Sequence, residues 1–274
     1  MKTFKDYLTE AKEDTLDIQD LLNESHDLTE EQDAAIDMAV ERILEAQKEG
    51  KTCAWIDSEQ SYSPEWATKL GVDSEKLIYS PAKTINDMVD VAVDLMNAGV
   101  DLIVVDSISA LLPAIYFEKD GSELKELQDT KQIGAEAKDM THAVKMLNYV
   151  NENTLLVLIS QQRNSFGSMH ATHIPTGGMT VKFFSSTIIK LWSSEADASS
   201  IKDKITVGDR LIEQKVGRKV RWEVTNSKTS APGDSGEYDF YYRGDLIGID
   251  TVADLVDTAE MLGFVNRTGA WYQL

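Results

Sequence analysis

The chain of 274 residues contains few of the residues that build disulfide scaffolds or zinc sites. Cys53 is its only cysteine, so no internal disulfide is possible, which fits a reducing compartment. With one cysteine and four scattered histidines, a zinc site is not expected. The apolar residues beside Cys53 favour the interpretation that it is a small core residue in a buried strand.

Long apolar runs are also lacking. No run approaches the roughly 18 residues that a membrane-spanning helix needs. The opening residues, MKTFKDYLTEAKED, contain no apolar stretch of the signal-peptide type. We therefore expect no membrane partner and a protein that buries a sizeable core as one large domain or as one domain with an appendage.

Positive charge is scarce overall but not everywhere. The formal net charge is -20, and residues 1–50 carry 15 acidic side chains against 5 basic ones. Residues 160–230 carry 11 basic side chains against 6 acidic ones, so this part of the chain is locally basic. Because local fields steer a polyanion, the acidic total does not exclude a nucleic-acid-binding face in the second half.

Two strand patterns end in acidic residues. Leu102–Val105 is a continuous apolar run that leads directly into Asp106, and a similar run at residues 53–56 leads into Asp57 and then Glu59. Such runs are typical of buried parallel strands, and ligands bind at the carboxyl ends of these strands. An aspartate there can hold Mg²⁺ through a water, although an acid in this position is also a common helix N-cap.

The glycine-rich loop that normally accompanies such carboxylates is absent. A phosphate cradle needs the pattern GxxxxGK[ST] at the start of a helix. The triplet at residues 50–52, Gly-Lys-Thr, does not satisfy it, because Glu45 occupies the position of the first glycine and the triplet leads into a strand. The chain therefore has the hydrolytic half of a nucleotide site without the phosphate-binding half.

Periodicity and turn residues predict an alternation of helices and strands. Residues 1–28 form an acidic, amphipathic helical segment, residues 29–274 form the core, and residues 162–179, rich in Gly and Pro, form a mobile loop. The predicted helices are 29–47, 64–70, 84–98, 132–150 and 251–262. The predicted strands are 53–57, 77–79, 102–106, 154–160, 181–192, 219–225 and 238–242.

Several segments together resemble the RecA family of homologous-recombination ATPases. They are EGKTCAWIDSEQSYSPEWATKLGVD, LIVVDSISALLP, NTLLVLISQQR, TGGMTVKFFSS, NSKTSAP and GAWYQL, in that order, within residues 36–274. The resemblance implies an α/β, RecA-like P-loop ATPase core with a mostly parallel central sheet flanked by helices. It also implies ATP and Mg²⁺ as cofactors. The partners it implies are single-stranded DNA, duplex DNA and RecA-type subunits in a filament.

The resemblance assigns catalytic and nucleotide-binding roles by position. It implies that Glu59 orients the attacking water, that Asp106 holds Mg²⁺, and that Gln161 senses the γ-phosphate. Ser63 and Trp66 lie where the family binds adenine, although Trp66 could also be a core residue. Lys228 corresponds to a lysine that reaches a neighbouring subunit's ATP, while its companion lysine is replaced by Asn226.

The resemblance also implies two DNA-binding loops, at about residues 114–133 and 163–180. The first is longer and more acidic than is usual in the family. In the second, Gly177 and Gly178 permit close backbone approach to a phosphate, and Ile174 is the candidate wedge between nucleotide triplets. The remaining candidates for phosphate contacts are basic side chains, although two of them on one helix could form an ordinary solvated face. They are Lys138, Lys145, Arg163 and Lys182.

The departures from the family pattern affect the predicted activity. The family's phosphate loop corresponds to residues 29–37, which read TEEQDAAID, with Ala35 at the lysine position and acids that would repel a triphosphate. The preceding strand, central in the family's sheet, has no counterpart, so the sheet should have a gap or have closed around it. The family's C-terminal DNA-gathering domain is also expected to be missing.

Three hypotheses follow from these patterns. The chain is an ATP-dependent recombinase whose own ATPase activity is absent or weak, and a separate fragment or a neighbouring subunit supplies the phosphate loop. Alternatively, it is a non-catalytic RecA-like regulator or one half of a split recombinase; a third possibility is a rearranged gene with no stable product. The family implies a cytoplasmic location, and MKTFKDYLTEA resembles phage N-termini, which adds the phage-infected host.

Overall fold

The structure is a computed structural model that describes most of the core. The described residues are 30–117, 135–164, 173–175, 178–193, 200–207, 210–229, 232–244, 246–269 and 271–273. The predicted N-terminal helical segment lies outside them, as does most of the first predicted DNA-binding loop. None of the helices in these ranges is long and apolar enough to cross a membrane.

Helices and strands alternate in the first half of the described chain, and strands dominate the second half. The helices are α1 (Glu30–Lys48), α2 (Pro64–Lys69), α3 (Ile85–Asn97), α4 (Ala135–Val150), α5 (Gly178–Phe184) and α6 (Thr251–Met261). The strands are β1 (Cys53–Asp57), β2 (Ile78–Pro81), β3 (Leu102–Asp106), β4 (Leu155–Leu158), β5 (Gln162–Asn164), β6 (His173–Pro175), β7 (Thr187–Ser193), β8 (Ser200–Val207), β9 (Arg210–Ser227), β10 (Ser235–Tyr241), β11 (Gly248–Ile249), β12 (Asn266–Thr268) and β13 (Trp271–Gln273).

The central sheet is parallel, with strand order β2-β1-β3-β4. Every residue of β1 and β3 is buried. Successive side chains of a strand point to opposite faces, so Ala54 and Ile56 pack with α3 and α4, while Cys53 and Trp55 pack with α1. The predicted α/β fold, with a mostly parallel central sheet flanked by helices, is confirmed.

A second, antiparallel sheet packs against the α1 side of the core. Its strand order is β11-β10-β9-β7, and β8 pairs with the first half of the long strand β9. Val220 of β9 and Phe240 of β10 belong to the same buried apolar cluster as Trp55 of β1. Residues of both sheets and of α1 therefore belong to one hydrophobic core cluster.

The parallel sheet has an open edge at β4. In the part of the chain that the structure describes, β4 pairs with β3 alone, and β7 pairs with β9 alone. The sequence led us to expect either a gap in the sheet or closure around it. The described strands form two separate sheets, so the structure favours a gap over closure.

The region after β4 differs from the sequence-based prediction. Residues 162–179 were predicted to form an irregular loop, but β5 and β6 pair with each other in antiparallel register. The predicted strand 181–192 was wrong in its first part, because α5 occupies residues 178–184 and β7 starts only at Thr187. The long hairpin formed by β8 and the first half of β9 was not predicted.

The first half of α1 spans the residues that the resemblance predicts to correspond to the family's phosphate loop, and Asp37 in it makes a structural contact. Asp37 and Arg218 are each only 7% exposed, and Arg218 Nη2 lies 2.6 Å from Asp37 Oδ2. Trp66 Nε1 donates a hydrogen bond of 3.2 Å to Asp37 Oδ1. The guanidinium of Arg218 also lies 5.9 Å from the centroid of the Phe240 ring. Asp37 was expected to repel a triphosphate, but its negative charge is paired with the guanidinium of Arg218 on β9.

Removing one partner of this buried pair should be costly. We expect Arg218→Ala to lower the free energy of unfolding by about 3–5 kcal/mol, because Asp37 is left charged and buried without a partner. Arg221→Ala is the matched control, since Arg221 is 56% exposed and pairs with Glu237 at 3.4 Å. The control should lose under about 1 kcal/mol. Urea denaturation measures both, and equal losses would contradict a structural role for the buried pair.

Candidate functional site

Polar side chains from three neighbouring strands meet at the carboxyl-terminal edge of the parallel sheet. Asp57 ends β1 and Asp106 ends β3, and the two residues are register partners. Gln161 follows β4 by three residues. Because β1, β3 and β4 are parallel, their carboxyl ends lie at the same edge and bring residues that are far apart in sequence into one cluster.

Asp57 organises the loop that carries Glu59. Its Oδ1 accepts hydrogen bonds from the backbone N–H groups of Glu59, Gln60 and Ser61 at 3.1, 2.7 and 3.3 Å. Its Oδ2 accepts from the backbone N–H of Tyr62 at 3.2 Å. The Tyr79 hydroxyl donates a further bond of 3.1 Å to Oδ2. One carboxylate therefore satisfies four successive backbone donors and fixes the turn after β1.

Asp106 is fully buried and only half satisfied. Ser61 Oγ donates a hydrogen bond of 2.7 Å to its Oδ2, but its Oδ1 has no hydrogen-bond partner among the described residues. Burial raises the pKa of Asp106 to about 7, the Ser61 hydrogen bond opposes this shift, and the nearby charges of Glu59 and Asp57 add to it. A buried carboxylate with one free oxygen is suited to receive a donor or a cation.

Glu59 joins the cluster through two polar neighbours. Ser107 Oγ donates a short hydrogen bond to Glu59 Oε1, and Gln161 Nε2 lies 3.5 Å from the same oxygen. Gln161 is positioned in turn by Ser109, whose Oγ accepts from the Gln161 backbone N–H at 2.9 Å. A carboxylate held beside an amide can orient a water and can transmit a change at Gln161 to the site.

Comparison with known proteins assigns the chain to a family. The model of the RecA N-terminal domain matches residues 28–246, well over half of the chain. The chain belongs to the RecA family. It is 33% identical over 239 residues to the proteins named RecA of Marinobacter nauticus and Gluconacetobacter polyoxogenes. These matches cover 86% of this chain and 62% of each relative, so the chain spans less than two thirds of the length of the curated relatives it matches.

A solved structure is also similar to this chain. The RadB recombinase matches 76% of this chain and 83% of its own, with a TM-score of 0.49 and 17% identity.

The two residues predicted from RecA to contact adenine have structural contacts here. Ser63 is the N-cap of α2, where its Oγ accepts from the backbone N–H of Trp66 at 3.2 Å. Trp66 is partly buried, bonds to Asp37, and lies 6.5 Å from Phe240 between ring centroids. The indole thus packs toward α1 and the second sheet, and its role at adenine stays a prediction.

Lys228 directly follows β9 and is far along the sequence from the residues at the carboxyl-terminal edge of the parallel sheet. Its Nζ donates a hydrogen bond of 3.1 Å to the carbonyl of Phe184, and its backbone N–H donates to Ser186. These bonds attach it to the connection between α5 and β7. The role that RecA implies for it, on a neighbouring subunit, stays a prediction.

Three of the predicted DNA-binding lysines lie near the contact between helices α4 and α5. Lys138 and Lys145 are seven residues apart on α4 and both are exposed, so they lie on one side of that helix. Thr141, between them, contacts Thr180 of α5 at 3.0 Å between hydroxyl oxygens. Lys182 of α5 is exposed as well. The packing of α4 on α5 therefore brings these lysines to one part of the surface.

The other predicted DNA-binding residues fall in the least described region. Arg163 of β5 and Ile174 of β6 are backbone register partners in the small antiparallel hairpin. Gly178 is the first residue of α5. Gly177 lies outside the described residues. The contribution of these four residues to DNA binding stays a prediction.

Sequence reasoning missed three polar residues of the site. Asp57 was recognised as the acidic end of a strand but was given no role, and Ser61 and Ser107 were not singled out. An aspartate followed by Ser-Glu-Gln-Ser is a turn signal, because Asp side chains accept bonds from backbone groups that follow them. That signal could have identified Asp57 as the residue that positions Glu59.

The described residues fit one end of a Mg²⁺–nucleotide complex. Asp106, with its free buried oxygen, and Glu59 are suited to a hydrated cation and to a water. Among the described residues, no group of three or more His, Cys, Asp or Glu side chains could hold a metal ion. The segment that the resemblance predicts to correspond to the phosphate loop includes Asp37 of α1, whose carboxylate is paired with Arg218. The lack of a triphosphate cradle stays a prediction.

The role of Asp57 can be tested by removing its carboxylate. We expect Asp57→Ala to lower the free energy of unfolding by about 3 kcal/mol, because backbone donors lose a charged acceptor. Amide hydrogen exchange should accelerate at Gln60, Ser61 and Tyr62. The control is Asp101→Ala, whose carboxylate accepts from Thr52 and pairs with Lys51 at the opposite end of the sheet. Exchange in residues 59–62 that stays unchanged in Asp57→Ala would show that another contact fixes this turn.

The buried carboxylate of Asp106 predicts a pH-dependent stability. Since the pKa of Asp106 is about 7 in the folded chain and its ordinary value is 3.8, the folded state binds more protons between these pH values. The free energy of unfolding should therefore fall as the pH rises from about 4 to 7. In EDTA, Asp106→Asn should be more stable than the parent at pH 8 by about 1–3 kcal/mol, with a smaller difference at pH 5.

Urea denaturation at the two pH values measures this difference. Asp90→Asn, a change at an exposed carboxylate of α3, is the control and should leave the pH profile of the parent unchanged. An Asp106→Asn variant that is less stable than the parent at both pH values would contradict the unsatisfied state of the buried carboxylate.

Proposed function

We propose that this chain is a RecA-type DNA recombination and repair protein that binds single-stranded DNA but hydrolyses ATP weakly or not at all by itself. The observation that carries the proposal is the cluster of Glu59, Asp106 and Gln161 at the carboxyl edge of the parallel sheet. These three residues would orient water, hold a hydrated Mg²⁺ and link the site to the segment that follows β4. In a complete site, ATP·Mg²⁺ supplies the phosphoryl group.

DNA binding is proposed on the lysines around the contact between α4 and α5. Lys138, Lys145 and Lys182 are exposed and lie in the same part of the surface, next to the hairpin that carries Arg163. Single-stranded DNA needs a basic track, with local charge more important than net charge. Filament formation with RecA-type subunits and pairing with duplex DNA extend the same proposal, as does action in the cytoplasm.

A second candidate function is that of a non-catalytic RecA-like regulator or one half of a split recombinase. The observation that favours it is α1. This helix begins where the phosphate loop is expected, and the Asp37–Arg218 pair commits it to packing against the second sheet. In either case, hydrolysis would require a phosphate-binding segment from another source.

One experiment on the purified chain tests the proposal. We expect single-stranded DNA binding by fluorescence anisotropy, with negligible ATP turnover in Mg²⁺ whether or not DNA is present. Changing Lys138, Lys145 and Lys182 together to alanine should weaken DNA binding and reduce the slope of log affinity against log salt by about 2, since each phosphate contact contributes roughly 0.7. Lys76→Ala, on the β1–β2 connection, is the control.

The outcomes differ between the candidates. DNA-stimulated turnover that is abolished by Glu59→Gln but not by Glu75→Gln, an exposed control, would show a working recombinase. DNA binding without turnover by the chain alone is the result that the proposal expects, and the regulator and the split enzyme share it. A chain that binds neither single-stranded DNA nor RecA-type subunits would overturn the proposed function.

A further inference from the structure

We propose that the open edge of β4 is a docking site for a second polypeptide, which adds an apolar strand parallel to β4 followed by a loop with a basic side chain. The basic loop rests on the proposed function, because it would complete the carboxylate site described above. The docking of the strand rests on β4 alone. The two parts can therefore be tested separately.

The first argument is that β4 has the sequence of a central strand but the exposure of an edge strand. Its four residues, Leu-Leu-Val-Leu, are all apolar, like most of β3. Every residue of β3 is buried, whereas no residue of β4 is, and the Leu155 side chain is 59% exposed. Continuous apolar runs are typical of strands that are covered on both faces and paired on both sides.

The second argument concerns the backbone. Leu155 N–H donates to the carbonyl of Asp101 at 2.8 Å, and Ile159 N–H donates to the carbonyl of Val105 at 3.0 Å. Since alternate residues of a strand direct their N–H and C=O groups to opposite sides, those of Leu156 and Leu158 point away from β3. No described strand pairs with this side. A docked strand would satisfy these groups.

The third argument concerns the surroundings of the edge. Leu156 and Leu158 pack on the cluster of α3 and α4, while Val157 and Ile159 pack on the cluster of α1. A strand beside β4 would therefore have helices on both of its faces and should be apolar throughout. The helix α1 also contacts β7, the edge strand of the second sheet, where Ile189 is 47% exposed. Both open edges lie along the same helix.

The fourth argument is charge. A strand parallel to β4 would end at the same edge of the sheet as Asp106, so the loop that follows it would start beside the carboxylates. Asp106 Oδ1 is buried and has no hydrogen-bond partner in the described residues. Glu59 adds a second carboxylate. A loop that carries a lysine is therefore complementary, and the pattern GxxxxGK[ST] combines that lysine with a helix start.

The occupant is a separate chain of this type rather than the N-terminal residues of this protein. Before Glu30, the sequence contains no run of three apolar residues, and its acidic side chains outnumber its basic ones. A second copy of this chain joined edge to edge about a two-fold axis would pair β4 antiparallel to itself. That arrangement would bring no basic loop to Asp106.

The test uses the full chain and a fluorescent synthetic peptide of β-branched apolar residues followed by a Gly-x-x-x-x-Gly-Lys-Thr segment. We expect saturable binding, and at least about tenfold slower amide exchange at Leu156 and Leu158, the two β4 amides that point to the open edge. Exchange at Leu255, on exposed helix α6, should not change. A peptide with proline in the middle of the strand should not bind, because proline cannot pair.

Two matched changes sharpen the test. Leu155→Lys places a charge at the edge and should weaken peptide binding about tenfold, while Leu255→Lys, at a similarly exposed leucine, should not. Replacing the peptide's lysine by glutamate should also weaken binding about tenfold, through repulsion by Asp106 and Glu59. Equal binding of the lysine and glutamate peptides would overturn the basic loop.

Several results would overturn the docking site itself. They are no binding, binding without protection of the Leu156 and Leu158 amides, and protection of these amides in a dimer without peptide, which would identify a second copy as the occupant. The measurement uses neither DNA nor nucleotide. If the chain binds the peptide but not DNA, the docking site is supported and the proposed function is contradicted. If it binds DNA but not the peptide, the proposed function is supported and the docking site is contradicted.

Discussion

The arrangement of the two sheets depends on the buried ion pair between Asp37 and Arg218. Removing two charges from water is costly, and the attraction between them offsets that cost when the geometry is close and further contacts support the pair. Here the second carboxylate oxygen accepts from Trp66, and the guanidinium lies over Phe240. The pair thus connects α1, α2 and β9 across 181 residues of sequence. An anion that bound at this position would have to compete with Asp37 for Arg218.

Two carboxylates at matching positions of adjacent strands have different roles in the site, because their hydrogen bonds differ. Asp57 and Asp106 are register partners at the ends of adjacent parallel strands. Five donors surround Asp57, so its charge is used to hold a turn. Within the described part of the chain, Asp106 has one serine donor and one oxygen without a hydrogen-bond partner. A carboxylate with all its acceptors filled positions its neighbours, and one with an open acceptor can bind a ligand.

The sequence predicted the parts of the fold whose patterns are local and strong. The strands β1 and β3 were located to the residue because their four apolar residues have only one plausible place, inside a parallel sheet. The region 162–184 was predicted poorly, since glycine and proline indicate turns but do not reveal that β5 and β6 pair. The contact of Glu59 with Gln161, 102 residues apart, could be inferred only from the family resemblance. The role of Asp37 could not be predicted at all, because its partner lies on a strand of the other sheet.

The open edge at β4 and the incomplete site have the same physical origin. In a parallel sheet, pairing and ligand binding are coupled, because each added strand also delivers the loop at its carboxyl end to the ligand edge. On the side of β4 where no described strand lies, the backbone groups of Leu156 and Leu158 pair with none of the described residues, and one oxygen of Asp106 has no hydrogen-bond partner among them. Apolar edge strands without protective charges tend to pair with another chain. A single parallel strand would satisfy both deficits, whereas water at the edge could hydrate the backbone but would leave the apolar side chains exposed.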